Sequence, residues 1–257
     1  MIYLFSGTPG SGKSLDMARC ILNDLRFNRP VICNFPINVP KRLKKKEKLF
    51  NYWDNEKLTP ASLVRFSELY FKEHSFHEGA ICLYIDECQL LFNARTWNIK
   101  GRSDWNAFFT NHRHFGFDIV LVAQFDRMID RQIRSLIEEE VIHRKLNNMG
   151  LMGLFFRVVF LAPTLFIKIS MYYPLHEKLR TSFFRYNSSY AKIYDSYSSV
   201  FIQNEYKDDL LLDGGAEGGA TVQEVPPPAP QPKSKLSLFS LVDKIAVLLI
   251  IFLSKIY

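Results

Sequence analysis

Apolar residues in the first 145 positions fall into two alternating kinds of run. One kind is short and continuous: "IYLFSG" (2–7), "PVICNF" (30–35), "AICLYID" (80–86) and "FDIVLVAQ" (117–124). Each is followed by a turn or a helical stretch. Such runs, alternating with helices, predict parallel strands buried on both faces. The other kind has helical spacing and predicts helices over 12–26, 60–73, 103–115 and 128–138. In the last, "MIDRQIRSLIE", Met128, Ile129, Ile133, Leu136 and Ile137 share one face. Residues 1–145 therefore read as an α/β core, a mostly parallel sheet flanked by helices.

The pattern then changes. "LFFRVVFLAPTLFIKISMYYP" (154–174) is long and apolar but is interrupted by Arg157, Pro163 and Lys168. Those charges disfavour a membrane crossing, and two strands turning at Pro163 are expected instead. "SFFRYNSSYAKIYDSYSS" (182–199) is aromatic and serine-rich, fit either to dock back on the core or to sit near a membrane interface. Residues 146–212 thus read as a small β-rich and aromatic extension of the same domain. From 213 to 235, "DGGAEGGATVQEVPPPAPQPKSK" has too little apolar surface to fold and reads as a disordered Gly/Pro-rich linker. "LSLFSLVDKIAVLLIIFLSKIY" (236–257) has close to the apolar length of one bilayer crossing, although Asp243 and Lys244 lie within it. It is read as a transmembrane helix, with an amphipathic or docked terminal helix as the alternative. Lys233 and Lys235 before it would keep the folded part cytoplasmic.

Charge adds a little. The chain carries a formal +7. In 213–257 Asp213, Glu217, Glu224 and Asp243 cancel Lys233, Lys235, Lys244 and Lys255, so the excess belongs to residues 1–212. A basic domain suits an anionic partner such as nucleic acid or lipid headgroups. "KRLKKKEKL" (41–49) either grips such a partner or is a solvated loop. Cys20, Cys33, Cys82 and Cys88 form no C-x-x-C pair and read as reduced, buried thiols. "HSFH" (74–77) and "HRH" (112–114) lack a third ligand at a metal-binding spacing. "MIYLF" has no basic n-region, so no signal peptide is expected.

The chemistry begins at "GTPGSGKS". Gly7, Thr8, Pro9, Gly10, Ser11, Gly12, Lys13 and Ser14 match G-x-x-x-x-G-K-[ST], between a strand and a helix that opens with Leu15. Glycines let successive N–H groups turn inward onto phosphate oxygens, and the helix adds its positive end. Lys13 is placed to bridge the β- and γ-phosphates of ATP, and Ser14 to ligate Mg²⁺. "ICLYIDE" ends a second strand in Asp86, a further Mg²⁺ partner, and Glu87, which either activates the attacking water or merely opens a helix. Glutamate at that place marks the additional-strand (ASCE) class of P-loop NTPases. Gln124, at the end of the next strand, either contacts γ-phosphate and water or simply starts a loop. A cation from a neighbouring subunit usually completes such a site. Arg113, Arg131 and Arg134 are candidates, with Arg95 and Arg127 also nearby in sequence.

Taken together, "LYIDECQLLFNARTW" (83–97), "NHRHFGFDIVLVAQ" (111–124) and "MIDRQIRSL" (128–136) resemble the Zot-like family of filamentous phage assembly ATPases. That family is named after zonula occludens toxin and includes the gene I proteins of coliphages. "LFIKISMYY" and the aromatic close resemble its later segments. The likeness spans about residues 1–200. It implies a single-pass protein of the host inner membrane whose cytoplasmic ATPase is a homo-oligomer. Such an enzyme would help strip the single-stranded-DNA-binding protein from phage DNA and drive coat-protein assembly and virion export. It also implies nucleotide on Gly7, Gly12, Lys13 and Ser14, with Mg²⁺ and water on Asp86 and Glu87. Many relatives continue into an extracytoplasmic domain that meets a secretin or carries toxin activity. Here residue 257 falls at the helix, which puts both in question and leaves room for a separate envelope partner. The competing readings are a DNA-translocating or packaging ATPase of the conjugation type, a kinase, and a non-hydrolysing nucleotide-gated scaffold.

Overall fold

The computed structural model of the chain describes residues 1–96, 101–146 and 164–194. The expected linker (213–235) and terminal helix (236–257) lie outside the described residues, as does the first of the two strands expected around Pro163. Among the described residues no helix is long and apolar enough to cross a membrane.

Eight strands form one sheet: β1 Ile2–Ser6, β2 Val31–Cys33, β3 Phe50–Tyr52, β4 Ile81–Ile85, β5 Phe117–Val122, β6 Glu139–Lys145, β7 Leu165–Tyr172 and β8 Glu177–Arg185. Their order is β3-β2-β4-β5-β1-β6-β7-β8. Pairings from β3 through β6 are all parallel, while β6–β7 and β7–β8 are antiparallel. The β-rich extension therefore continues the core sheet. Its hairpin turns at Tyr173–His176, and β7 lies against β6.

The continuous apolar runs follow from burial on two sides. Ile2, Leu4, Ile81, Leu83, Ile85, Ile119 and Leu121 face one cluster with α2 (Pro60–Glu73) and α3 (Arg102–Asn111). The alternate residues Phe5, Cys82, Tyr84, Val120 and Val122 face a second cluster beneath α1 (Lys13–Arg26). Met17, Ile21, Leu22 and Leu25 of α1 are at most 2% exposed, each contributing about 1.5–3 kcal/mol of transfer free energy. α2 starts where Pro60 occupies its first turn and the Thr59 hydroxyl accepts from the Ser62 N–H.

The helix expected over 128–138 is not there. A single turn, α4 (Arg131–Arg134), forms after Asp130, whose side chain caps it by accepting from the Gln132 N–H. On one side Ile129 is extended and bridges Asn93, and on the other Glu139 enters β6 beside β1. Sheet pairing takes both ends of the helical pattern. Ile129, Ile133 and Ile137 are still buried, whereas Met128 is exposed. The basic run Lys41–Leu49 is a 3-10 helix, not an irregular loop, and it tucks Leu43 into the cluster under α1.

Candidate nucleotide site

Because β1, β2, β4 and β5 run parallel, their carboxyl ends share one edge, where open α/β sheets bind ligands. That edge gathers Gly7 to Ser14 after β1, Asn34 after β2, Asp86 and Glu87 after β4, and Gln124 after β5. One strand, β5, separates the P-loop strand from the acidic strand. The Gly7 N–H donates to the Gln124 carbonyl at 3.1 Å, so the loop starts against the strand that carries Gln124.

Two glycines are required by geometry. Gly7 has φ +142°, and a Cβ there would lie 2.4 Å from the backbone oxygen of His143. At Gly12, φ +96°, a Cβ would lie 2.8 Å from the Phe166 ring. Thr8, Pro9 and Gly10 are exposed at the loop's tip, Ser14 and Leu15 are half-buried, and Ser11 is buried with no partner for its hydroxyl. Gly12 leads into α1 with no side-chain cap, leaving the positive end of that helix turned to the loop. The Lys13 ammonium donates to the carbonyls of Gly7 and Thr8. Burial lowers its pKa, opposed by Glu87 and Asp86.

The two acids differ. Asp86 is buried, and burial raises its pKa against hydrogen bonds from the Tyr194 hydroxyl and the Glu87 N–H. Its backbone is locked to Asn34: the Asp86 N–H donates to Asn34 Oδ1 at 2.8 Å, and Asn34 Nδ2 donates to the Asp86 carbonyl at 3.0 Å. Glu87 is exposed and has a left-handed backbone, φ +45° and ψ +45°, rare for a non-glycine residue and concentrated at functional sites. Gln89 Nε2 donates to its carboxylate. Ser14 and Asp86 offer a hydroxyl and a carboxylate, both hard donors, and among the described residues no group of three or more His, Cys, Asp or Glu is arranged to hold a metal ion by itself. That sparse oxygen set fits Mg²⁺, which leans on substrate phosphates and water for the rest of its shell.

A second charged cluster holds the loop's helix in place. Asp16, in the first turn of α1, is 0% exposed. Its carboxylate meets Arg19 Nη2 at 2.7 Å, Lys168 Nζ of β7 at 3.1 Å and His143 Nε2 of β6 at 3.1 Å. Burial alone would raise its pKa, but the His143 hydrogen bond and the cations outweigh that and lower it to about 2. The extension is thereby bound to the P-loop helix.

The candidate arginines separate. Arg113 lies at the amino-terminal edge of the sheet, bound to Glu138 at 2.5 Å next to the start of β1. Arg131 and Arg134 are on α4, downstream of Gln124; Arg131 is exposed and Arg134 lies 4.0 Å from Asp126. Gln124 is half-buried at the loop. Sequence reading missed Asn34, Gln89, Tyr194, Asp16 and His143. For Gln89 the DExQ spacing was an available signal; the others act across long separations. A cavity of about 270 Å³ opens over Gly10–Leu15 and is also lined by Phe166, Tyr186, Tyr190 and Tyr194. A larger groove of about 700 Å³ between α2 and α3 contains no P-loop residue.

Comparison with known proteins gives related matches. The family described as Zonular occludens toxin (Zot) matches residues 1–199. The Gene 1 protein of Enterobacteria phage fd is 27% identical over 156 residues, 58% of this chain and 44% of that protein. The Gene 1 protein of Salmonella phage IKe is 26% identical, over 58% of this chain and 42% of its own length. The chain thus spans less than half the length of these curated relatives. Among solved structures, the N-terminal domain of zonular occludens toxin from Neisseria meningitidis aligns with a TM-score of 0.46 at 18% identity, covering 76% of this chain and 98% of that one. The DNA-packaging ATPase B204 of Sulfolobus turreted icosahedral virus aligns with a TM-score of 0.46 at 16% identity, covering 72% and 96%.

Proposed function

We propose a function from one premise: this chain belongs to the zonular occludens toxin family. It is an additional-strand P-loop ATPase that drives assembly and export of a filamentous phage. The observation that carries this reading is Asp86–Glu87 at the end of β4, one strand removed from the P-loop, with Glu87 turned outward on a left-handed backbone. Residues Gly7 to Ser14 and the N-terminus of α1 hold the phosphates of ATP, and Lys13 balances charge on the β- and γ-oxygens. Ser14 and Asp86 would hold Mg²⁺, which neutralises phosphate charge. Glu87, oriented by Gln89, accepts a proton from the water that attacks the γ-phosphorus, as the bond to the ADP oxygen breaks. Gln124 faces the same reaction zone from β5, and an arginine of a second copy in a homo-oligomer completes the charge balance.

The partners of this reading are phage coat proteins and single-stranded DNA or its binding protein, with a separate envelope or secretin partner. Residues 236–257 anchor the protein in the host inner membrane, with the folded part in the cytoplasm. The Gene 1 relatives, from filamentous phages, support the phage-assembly part of this reading. The test is ATP hydrolysis and ATP binding by the full chain. Glu87→Gln should lower hydrolysis by about 10²–10⁴-fold and leave binding intact, while Lys13→Ala should lose both. Parental hydrolysis by Glu87→Gln would refute the assignment, and binding without turnover by the parental chain would favour a nucleotide-gated scaffold.

A further inference from the structure

The geometry points to a stacking site for the base of a nucleoside triphosphate, formed by Tyr186 and Tyr190 beside the P-loop, with the buried ring of Phe166 lining the same cavity. The inference rests on the nucleotide reading above. With phosphates held over Gly10–Ser14, the rest of a nucleotide extends along the same 270 Å³ cavity, which these aromatic residues also line. Tyr186 and Tyr190 come from the segment that sequence reading could only describe as docking on the core or lying near a membrane interface.

Each ring is held by its own support. Phe166 of β7 stacks on Phe184 of β8 at 5.1 Å and 21°, and its edge lies against Gly12. The Tyr186 N–H donates to the Thr164 carbonyl at 3.2 Å, fixing the backbone at the hairpin's end, yet its side chain is 52% exposed. Tyr190 sits in α5 (Ser188–Ala191), a short turn capped by the Asn187 side chain and packed on the cluster under α1. Tyr194 follows and donates its hydroxyl to Asp86, tying the aromatic segment to the acid that serves the phosphates. Tyr186 thus leaves aromatic surface open beside the phosphate-binding loop, which a stacked base would cover.

The lining also sets the specificity. Among the described residues the cavity's charged side chain is Lys13, at the phosphate end, and its aromatic end presents no Asn, Gln, Asp, Glu or Arg. The base is therefore recognised as a flat apolar surface, which every base has, and not by its hydrogen-bonding edge. The site takes ATP and GTP alike.

The test is calorimetric binding of AMPPNP, GMPPNP and inorganic tripolyphosphate to the full chain with Mg²⁺. The parental chain should bind the two nucleotides within about tenfold of each other, and both at least about tenfold more tightly than tripolyphosphate. Tyr186→Ala and Tyr190→Ala should each weaken AMPPNP about tenfold and leave tripolyphosphate unchanged. Tyr186→Phe and Tyr190→Phe should bind as the parent, because the ring and not the hydroxyl is used. Unchanged AMPPNP affinity in both alanine variants, an equal loss for AMPPNP and tripolyphosphate, or phenylalanine variants as weak as alanine would overturn the stacking site while leaving the nucleotide reading standing. No binding of any of the three ligands by the parental chain would overturn both.

Discussion

Asp16→Asn is the sharpest probe of how the P-loop helix is held. The substitution keeps the shape and removes one negative charge from a carboxylate in contact with Arg19, Lys168 and His143. Asp16 has its pKa lowered from 3.8 to about 2, equivalent to about 2 kcal/mol of folding free energy at neutral pH. The folded-state value is depressed, so the contribution is complete well above pH 3.8 and is lost as pH falls toward 2. Half-way, at about pH 3, linkage leaves about half of it. The assay is urea unfolding of parent and variant in metal-free, nucleotide-free buffer at several pH values. Near pH 7 the variant should be less stable by about 2 kcal/mol or more, because the cations are left without their counter-charge. Toward pH 3 the gap should narrow by about 1 kcal/mol. A gap that stays constant from pH 7 to 3 would show that the charge of Asp16 does not hold this junction.

Gly7→Ala should be clearly more destabilising than Gly10→Ala, read as a larger fall in Tm. Both need positive φ, but a Cβ at Gly7 meets the backbone oxygen of His143 whereas one at Gly10 meets nothing within 4 Å, so equal losses would refute the packing argument. Arg131→Ala should reduce hydrolysis by about 10³-fold and be rescued by mixing with Glu87→Gln, since each copy then supplies what the other lacks. Arg113→Ala, whose parent residue is bound to Glu138 at the opposite edge, should stay near the parental rate; the reverse pattern would move the trans cation to Arg113.

What could be read from the chain was local. "GTPGSGKS" and "YIDE" are contiguous motifs bounded by apolar runs, and β1, α1, β4 and β5 fall where those runs put them. β6 escaped because two of its three inward residues, Glu139 and His143, are polar, with Val141 between them. Their burial is balanced by partners that no hydropathy pattern contains: Arg180 for Glu139 and Asp16 for His143. The apolar spacing of Ile129, Ile133 and Ile137 correctly marked buried positions, but it could not show that sheet pairing would claim the flanks of that helix. Asn34 and Tyr194 reach Asp86 across separations of 52 and 108 residues, and only the folded sheet and the docked aromatic segment bring them there.

The eight-stranded ladder has a mechanical consequence. β1 is joined edge to edge through β6 to the β7–β8 hairpin, and the His143 carbonyl abuts Gly7. Lys168 of β7 and His143 of β6 also grip the first turn of the P-loop helix. Loop, helix and hairpin are thus mechanically continuous, so a displacement of the loop presses on β6 and β7 as well as on α1. The hairpin's turn is itself tied back to the core, the Tyr173 N–H donating to the Glu138 carbonyl and its hydroxyl to Asp126, so both ends of the hairpin are coupled to the body that holds the phosphates.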